Sequence, residues 1–316
     1  MTSAISMVGL TKHYKDVRAL SDLTLDIPPG TVWGFLGPNG AGKTTALKVL
    51  AGLSIPTAGS ASVNGIAVSS AGAHRRQIGY LAQDPRFYGW MTGRETLRYV
   101  ASFRGRDSDR EQRIGALLER VGLADAADRR TSTYSGGMRQ RLGIAQALVG
   151  RPAVILLDEP VSALDPQGRK DVLELMQELR GETTVFYSTH ILDDVQRVSD
   201  HVAILDRGLL IKSAPTQALL GSFTHNMLRV ELGGALPGTD DALRGLAGVT
   251  EVTVSSRDDA STRYDVTAAE GAVAAVQRSI TKFADDAGMT LISNAAETLD
   301  LETVFLRLID QKAAAA

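Results

Sequence analysis

The sequence at residues 37–45 is Gly37-Pro38-Asn39-Gly40-Ala41-Gly42-Lys43-Thr44-Thr45. An apolar run at 31–36 precedes it and good helix formers follow at 46–53, so the order is strand, loop, helix. The glycines let the loop backbone curl until its N–H groups point inward, at a helix N-terminus whose dipole favours anions. Lys43 adds a charge and Thr44 a hydroxyl for Mg²⁺. The stretch predicts a nucleoside triphosphate site; a glycine-rich turn is the alternative, and the rest of the chain weighs against it.

The composition is that of a globular protein of one large domain or two unequal ones. Of the 316 residues, 44% are hydrophobic and 22% are charged, as in ordinary globular proteins. The net charge is 34 − 36 = −2. Residues 223–316 hold 8 basic and 14 acidic residues, which gives −6 and leaves +4 for residues 1–222. Because an acidic tail repels phosphates, we expect no nucleic-acid partner.

Cysteine usage and hydropathy exclude further classes of protein. There is no cysteine, so disulfides and thiolate metal sites are impossible. The N-terminus lacks a basic segment followed by an apolar core, so we predict no signal peptide. No stretch offers the ~18–20 uninterrupted apolar residues that a spanning helix needs. If the protein works at a membrane, we expect something else to bring it there.

The apolar pattern predicts an α/β fold. Residues 5–10 and 20–27 alternate as antiparallel strands, with a loop at 11–14 between them. A helical insertion is expected between residues 85 and 150, where apolar positions recur at helical spacing. The apolar run at 153–157 is typical of a strand buried on both faces of a parallel sheet. Strands and helices then alternate, which predicts a doubly wound sheet with ligands at the carboxyl ends of its strands.

The character of the sequence changes at about residue 223. From there the pattern predicts the order β-α-β-β-α-β of a ferredoxin-like module, followed by a closing helix at 299–309. We therefore divide the chain into an α/β domain at residues 1–222 and a smaller α+β domain at residues 223–316.

Two carboxylates follow the predicted buried strand. Asp158 ends the strand, where its side chain can hold Mg²⁺ through water opposite Thr44. Glu159 comes next, and a carboxylate beside a γ-phosphate can take a proton from attacking water. An isolated Asp-Glu-Pro would more often be a turn. With the phosphate loop upstream, we predict a metal ligand and a general base.

A second anion site is predicted at Ser135, Gly136 and Gly137, which open a helix with free N–H groups and a hydroxyl. One nucleotide needs only one such cradle, so the second indicates a nucleotide held by another subunit. The alternative is a helix start in which Ser135 is only an N-cap.

His190, after a strand, can donate to a γ-phosphate oxygen, and Gln83 can reach metal and attacking water. Each of these two is a weak signal alone.

Residues 5–220 resemble the ATP-binding subunit of an ATP-binding-cassette (ABC) transporter. The matching motifs are the Walker A loop at 37–45, the Q-loop residue Gln83, the signature at 134–138, the Walker B strand at 154–159, the D-loop at 162–165 and the switch histidine His190. Six motifs in this order make the resemblance specific. It implies a P-loop NTPase ABC ATPase core with an antiparallel β subdomain and a helical subdomain, binding ATP and Mg²⁺.

The resemblance assigns further roles. It implies that Tyr14 stacks on adenine, although a loop tyrosine can equally serve packing. The signature departs from the common Leu-Ser-Gly-Gly-Gln, because Tyr134 and Met138 flank Ser-Gly-Gly. Because the phosphate-facing donors of the motif are kept, we expect binding of a nucleotide in trans to be kept too, and a polar contact of the glutamine to the ribose stays an open question. The tail is similar to the C-terminal extension of subunits that partner exporter-type permeases.

The implied activity is ATP hydrolysis between two subunits, either two copies of this chain or one copy and a paralogous cassette. Lys43, Gln83, Glu159 and His190 would act in catalysis. The protein would be cytoplasmic, held at the inner face of the cell membrane by a separate permease, and transport would be export.

The rings of Phe87, Tyr88 and Trp90 could receive a permease helix or could pack the helical insertion. A cassette that remodels nucleic acid usually has two cassettes or a coiled coil, and neither is present in this sequence. A nucleotide sensor without turnover would not need Glu159.

Overall fold

A computed structural model of the chain describes residues 3–69, 71–103, 108–162, 164–224, 226–258, 260–269 and 271–296. These residues form two compact units, the first ending at Thr216 and the second beginning at Gln217. The sequence placed the boundary a few residues later, at 222. The closing helix predicted at 299–309 lies outside the described residues.

The strands of the first unit are β1 Ile5–Tyr14, β2 Val17–Ile27, β3 Val32–Leu36, β4 Ala58–Val63, β5 Ile66–Ala67, β6 Ile78–Leu81, β7 Val154–Asp158, β8 Thr184–Thr189, β9 His201–Asp206 and β10 Leu209–Pro215. Its helices are α1 Lys43–Leu50, α2 Gly93–Ser102, α3 Arg110–Arg120, α4 Gly136–Leu148, α5 Pro166–Glu178 and α6 Leu192–Val198. Helix α7, Thr216–Thr224, begins at the boundary between the units.

The larger sheet has the strand order β10-β9-β3-β8-β7-β6. Its pairs are parallel except for β10, which runs antiparallel to β9 at the edge. Every residue of β3, β7 and β8 is buried, as expected for strands covered on both faces. In the register, Leu36 pairs with Thr189 and Asp158 with Ser188. The carboxyl ends of these three strands therefore meet at one edge of the sheet.

A smaller antiparallel sheet has the order β2-β1-β4-β5. Its apolar face shares one buried cluster with α1 and the larger sheet, including Met7, Leu23, Leu47 and Phe186. The prediction of a loop at residues 11–14 is wrong, because these residues continue β1. Tyr14 pairs directly with Val17, and the two-residue turn between them places Lys15 at a φ of +51°. A hairpin turn this short leaves Tyr14 in the strand.

Helices α2, α3 and α4 form the predicted helical insertion. Helix α2 begins with a capping box, in which the Thr92 hydroxyl accepts from the Glu95 N–H and the Glu95 carboxylate accepts from the Thr92 N–H. This exchange satisfies two N–H groups that would otherwise have no partner at a helix start. Strand β10 was not predicted, because it follows a short Arg207-Gly208 turn and lies at the sheet edge.

The second unit contains β11 Met227–Gly233, α8 Thr239–Arg244, β12 Val249–Arg257, β13 Ser261–Ala268, α9 Val273–Asp286 and β14 Thr290–Ala296. Its strands are antiparallel in the order β12-β13-β11-β14, the arrangement of a ferredoxin-like module. Leu228, Val230, Tyr264 and Ile280 are among the residues of its own core. Across both units, the described helices are too short or too polar to cross a membrane.

Candidate functional site

The phosphate loop joins β3, at the centre of the larger sheet, to α1. A Cβ atom on Gly37 would lie 2.3 Å from the Leu205 carbonyl oxygen, and one on Gly42 would lie 2.3 Å from that of Ala19. Gly42 also has a φ of +108°, which a residue with a side chain rarely adopts. The close approach of β2 and β9 to the loop therefore explains why glycine stands at these two positions.

Lys43 is held inside this loop, with a relative exposure of 6%. Its Nζ donates to the carbonyl oxygens of Gly37 at 2.5 Å and Pro38 at 3.2 Å. The same Nζ lies 3.7 Å from Glu159 Oε1. Burial lowers the pKa of the Lys43 ammonium, and the neighbouring carboxylates of Glu159 and Asp158 oppose that shift. The Lys43 ammonium is thus held in the loop by two carbonyl oxygens, and the oxygens of a bound anion could take their place.

Asp158, at the end of β7, is buried between two hydroxyl groups. Thr44 Oγ1 donates to its Oδ1 at 3.0 Å, and Ser188 Oγ donates to the same oxygen at 2.6 Å. Hydroxyl and carboxylate oxygens are the ligands that Mg²⁺ prefers. With Gln83 on the wall of the adjacent cavity, this donor set fits a magnesium ion shared with phosphates. Ser188 was not singled out from the sequence.

Glu159 follows directly and adopts a φ of +50°, in the left-handed region. Its N–H donates to Ser188 twice, to the carbonyl oxygen at 3.2 Å and to Oγ at 3.0 Å. Its carboxylate lies 3.0 Å from His190 Nδ1, after β8. Such a backbone conformation is uncommon for glutamate and persists where surrounding contacts fix it. The contacts aim the carboxylate between Lys43 and His190.

A cavity of about 350 Å³ opens in front of this group. It is lined by residues 39–45 of the loop, by Gln83 and Glu159, and by Val17, Arg18 and Ala19 of β2. Sequence patterns do not identify the β2 residues as part of the site, because only the fold brings that strand across the loop. Four further site residues contact this lining without being part of it: Gly37, Pro38, Asp158 and His190.

Tyr14 does not line this cavity. Its ring is 45% exposed, its hydroxyl lies 3.1 Å from Ser54 Oγ, and Lys12 Nζ lies 4.7 Å from the ring centroid. The exposed ring is available to a ligand as well as to Lys12. Its stacking on adenine remains a prediction.

Ser135, Gly136 and Gly137 line a separate cavity of about 410 Å³, together with Asp165 and Gln167. The two cavities share no lining residue. Ser135 caps α4, since its Oγ accepts from the Met138 N–H at 3.2 Å. The first N–H groups of a helix have no partner within it, so this end can bind an anion. Within one chain, this helix end is not part of the lining of the phosphate loop's cavity.

Tyr134 stands where the common signature has leucine, and its packing accounts for the difference. Its ring is buried, and its hydroxyl donates to the Ala126 carbonyl oxygen at 2.7 Å. Burial raises the pKa of this hydroxyl, so it stays protonated. A Cβ on Gly93 would lie 2.4 Å from the Tyr134 oxygen. Tyr134 therefore packs the helical insertion, whereas Ser135, Gly136 and Gly137 line the cavity.

Four rings form a connected aromatic surface, defined as Tyr88, Trp90, Tyr99 and Phe103. Tyr88 lies 6.0 Å from Trp90 and 6.2 Å from Tyr99, and Tyr99 lies 5.0 Å from Phe103, measured between ring centroids. All four are exposed, Trp90 by 68%. Phe87 is half-buried and lies outside this chain of rings. Between the two sequence alternatives, the exposure favours docking over packing of the helical insertion.

Comparison with known proteins adds family information. Residues 20–162 match the family model described as ABC transporter. The chain is 41% identical, over 74% of its length and 78% of the relative's, to the uncharacterized ABC transporter ATP-binding protein YxlF of Bacillus subtilis. It is 36% identical to the daunorubicin resistance ATP-binding protein DrrA3 of Streptomyces coeruleorubidus, over 97% of this chain and 96% of that one.

A solved structure resembles part of the chain. The dimeric post-hydrolysis state of the ATP-binding cassette MJ0796, bound to ADP and Pi, superposes with a TM-score of 0.63 and 28% identity. The match covers 67% of this chain and 98% of that one. The similarity thus includes nearly all of a cassette known as a dimer with the products of ATP hydrolysis.

Proposed function

Since this chain belongs to the ABC transporter family of ATP-binding proteins, we propose that it is the ATP-hydrolysing subunit of an exporter and that Glu159 is its general base. One observation carries the assignment of the base. The Glu159 carboxylate lies at the cavity wall, 3.7 Å from Lys43 Nζ and 3.0 Å from His190 Nδ1. A carboxylate between a phosphate-binding lysine and a histidine suits the activation of water beside a γ-phosphate.

In this proposal the triphosphate binds against residues 39–45. Lys43 Nζ exchanges its contacts with the carbonyl oxygens of Gly37 and Pro38 for phosphate oxygens, which carry a full charge. The N–H groups at the start of α1 point toward the same place. Thr44, Asp158 and Gln83 would hold Mg²⁺, which would supply positive charge beside the phosphates.

His190 contacts the Glu159 carboxylate and could also bind the γ-phosphate. Its Nδ1 lies against the Glu159 carboxylate, which can only accept a hydrogen bond when ionised, so Nδ1 donates. Nε2 can then donate to a phosphate oxygen only while the ring is protonated. When Glu159 accepts a proton from water, a hydrogen bond from His190 Nε2 would stabilise the charge that builds on the γ-phosphate.

The complete site needs a second subunit. The signature end of α4 opens into a cavity that shares no residue with the nucleotide cavity. Two chains placed head to tail would bring Ser135, Gly136 and Gly137 of one against the phosphates bound by the other. The dimeric state of the similar cassette MJ0796 supports this arrangement.

We assign the transport step to a separate permease and the aromatic surface to its binding. Exposed tyrosine and tryptophan side chains are enriched at protein interfaces. The name of the relative DrrA3, which refers to daunorubicin resistance, supports export as the direction. ATP binding would close the dimer at the inner face of the membrane, and hydrolysis would reopen it.

The variant Glu159→Gln tests the assignment of the base. The amide keeps the shape of the side chain but cannot accept a proton, so ATP hydrolysis should fall about 10²–10⁴-fold. Equilibrium binding of ATP should stay near the wild-type value, because Lys43 and the loop are unchanged. Phosphate release and nucleotide binding are measured on the same preparation.

Glu174→Gln is the matched control, because its exposed carboxylate pairs with Lys170 on the surface of α5. This variant should hydrolyse ATP at the wild-type rate. Turnover of Glu159→Gln within tenfold of the wild type would remove Glu159 as the base. A wild-type protein that binds ATP without hydrolysing it would contradict the proposed function as a whole.

A further inference from the structure

The backbone of Glu159 is held by groups that the hydrolytic chemistry does not itself use. Its carbonyl oxygen accepts from the Ser162 N–H at 3.3 Å, from Ser162 Oγ at 3.1 Å and from Gln140 Nε2 at 3.3 Å. Ser162 is a neighbour in sequence, within the turn that Glu159 opens. Gln140 is 19 residues away and belongs to α4.

Gln140 is an unusual side chain for its position. Its relative exposure is 1%, whereas glutamine is mostly exposed in folded proteins. A buried amide loses its water contacts and needs a fixed partner. The Glu159 carbonyl oxygen supplies a partner for its N–H₂ group. A leucine or methionine would fill the same space without that requirement, so the amide is present for the bond.

The helix places this bond close to the signature. Ser135 is the N-cap of α4, and Gln140 lies four residues after Gly136, hence on the same face of the helix one turn further along. A separation of four residues corresponds to about 6 Å along the axis. One rigid helical turn therefore joins the anion-binding end of α4 to the backbone of Glu159 in the same chain.

The two ends of this turn serve different nucleotides. In the proposed dimer, on which this inference rests, the signature of a chain contacts the ATP held by its partner, whereas Glu159 acts on the ATP held by its own chain. A displacement of α4 by the partner's nucleotide would reach the Glu159 carbonyl oxygen through Gln140. Glu159 is already in a left-handed conformation that its contacts maintain, so a lost contact changes where its carboxylate lies.

We propose that Gln140 is a positioning residue that couples the two ATP sites, by setting the backbone of Glu159 according to what the signature of the same chain has bound. The side chain touches neither nucleotide. Occupation of one site thereby favours the active carboxylate position in the other, which is a coupling between sites in the thermodynamic sense.

Mixed dimers test the direction of this coupling. The reference dimer pairs a wild-type subunit with a Glu159→Gln subunit, so that hydrolysis occurs at one site only, and the two subunits carry different affinity tags. Gln140→Met, which keeps volume and helix propensity but removes the donor, is then placed on either subunit. The rate of a single turnover of labelled ATP is measured for each dimer. Both test dimers contain one Gln140→Met subunit, so any folding defect is the same in both.

The proposal predicts that the two placements differ. On the subunit that keeps Glu159, Gln140→Met should slow hydrolysis about three- to tenfold, the equivalent of one net hydrogen bond. On the Glu159→Gln subunit it should leave the rate near that of the reference dimer. Equal effects would identify a purely structural role, and an effect only in the second placement would assign Gln140 to the signature's contact with nucleotide. Either result overturns the proposal.

A homodimer measurement makes the test independent of the Glu159→Gln subunit. Gln140→Met in both subunits should lower kcat about three- to tenfold with unchanged ATP affinity. The control is Gln177→Met, which removes a bond of the same kind, from Nε2 to the Arg197 carbonyl oxygen, at the exposed face of α5. An unchanged kcat in Gln140→Met overturns the inference while leaving the proposed function intact. Absence of turnover in the wild-type homodimer overturns both.

Discussion

Ser188→Ala should lower the free energy of unfolding of the first unit by more than the loss of one hydroxyl group suggests. Ser188 is fully buried in β8, and its Oγ makes two hydrogen bonds. It donates to the Asp158 carboxylate at 2.6 Å and accepts from the Glu159 N–H at 3.0 Å. The substitution removes both bonds at once and changes little volume, so packing loss contributes little to the effect.

The magnitude follows from the two bonds. A hydrogen bond to a charged group contributes about 1.5–3 kcal/mol and a neutral one about 0.5–1.5 kcal/mol. Thr44 Oγ1 remains as a donor to Asp158, and the Ser188 carbonyl oxygen remains as an acceptor for the Glu159 N–H. We therefore expect the free energy of unfolding to fall by about 2–3 kcal/mol. Hydrolysis should fall as well, because Glu159 loses one of the contacts that fix its backbone.

Urea denaturation followed by tryptophan fluorescence measures the change. Trp33 is buried in β3 of the same unit, whereas Trp90 is exposed, so the transition reports on the first unit. Thr183→Val is the control, because the buried Thr183 hydroxyl makes one neutral bond, to the Pro152 carbonyl oxygen at 2.8 Å, worth about 1 kcal/mol. A loss in Ser188→Ala no larger than in Thr183→Val would refute the reasoning.

Two further predictions concern the helical insertion. Gly93→Ala should lower the free energy of unfolding by about 1–3 kcal/mol, because its Cβ would lie 2.4 Å from the Tyr134 oxygen. In a double-mutant denaturation cycle, this cost should be more than 1 kcal/mol smaller in a Tyr134→Leu background. Additive costs would show that the two residues do not clash. Trp90→Ala should abolish copurification with the permease from solubilised membranes. Its basal ATP hydrolysis and stability should stay within experimental error of the wild type, and the same is expected for basal hydrolysis and stability of the control Ile55→Ala, also at an exposed apolar position. A collapse of basal hydrolysis in Trp90→Ala would show that the ring is part of the folded core.

The site was predictable where its residues end strands or begin helices. Parallel strands bring their carboxyl ends to one edge, so the positions of Thr44, Asp158 and His190 in the sequence already implied that they meet. Apolar runs without alternation, such as residues 153–157, identify those strands. The start of α4 at Ser135 was predictable as well, because a helix start depends mainly on local residues.

Other parts of the site depend on pairing between distant segments. Ser188 is an ordinary serine within a strand, and its role follows from the register that sets it opposite Asp158. Gln140 looks like any polar residue of a helix until α4 packs against the end of β7. Tyr14 was assigned to a loop because a hairpin turn formed by Lys15 and Asp16 is not distinguishable from a longer loop without a glycine.

The separation of the two cavities has a consequence for how the protein behaves on dilution. In the proposed dimer, each chain carries two unlike halves of a site and has no complete site by itself. The specific activity of the free protein should then rise with its concentration, since each active unit would form from two chains that meet in solution. Attachment to a permease would remove this dependence, because two subunits held on one membrane partner meet at a fixed, high effective concentration. ATP hydrolysis by subunits that are not bound to a permease would thus be slow wherever their concentration is low.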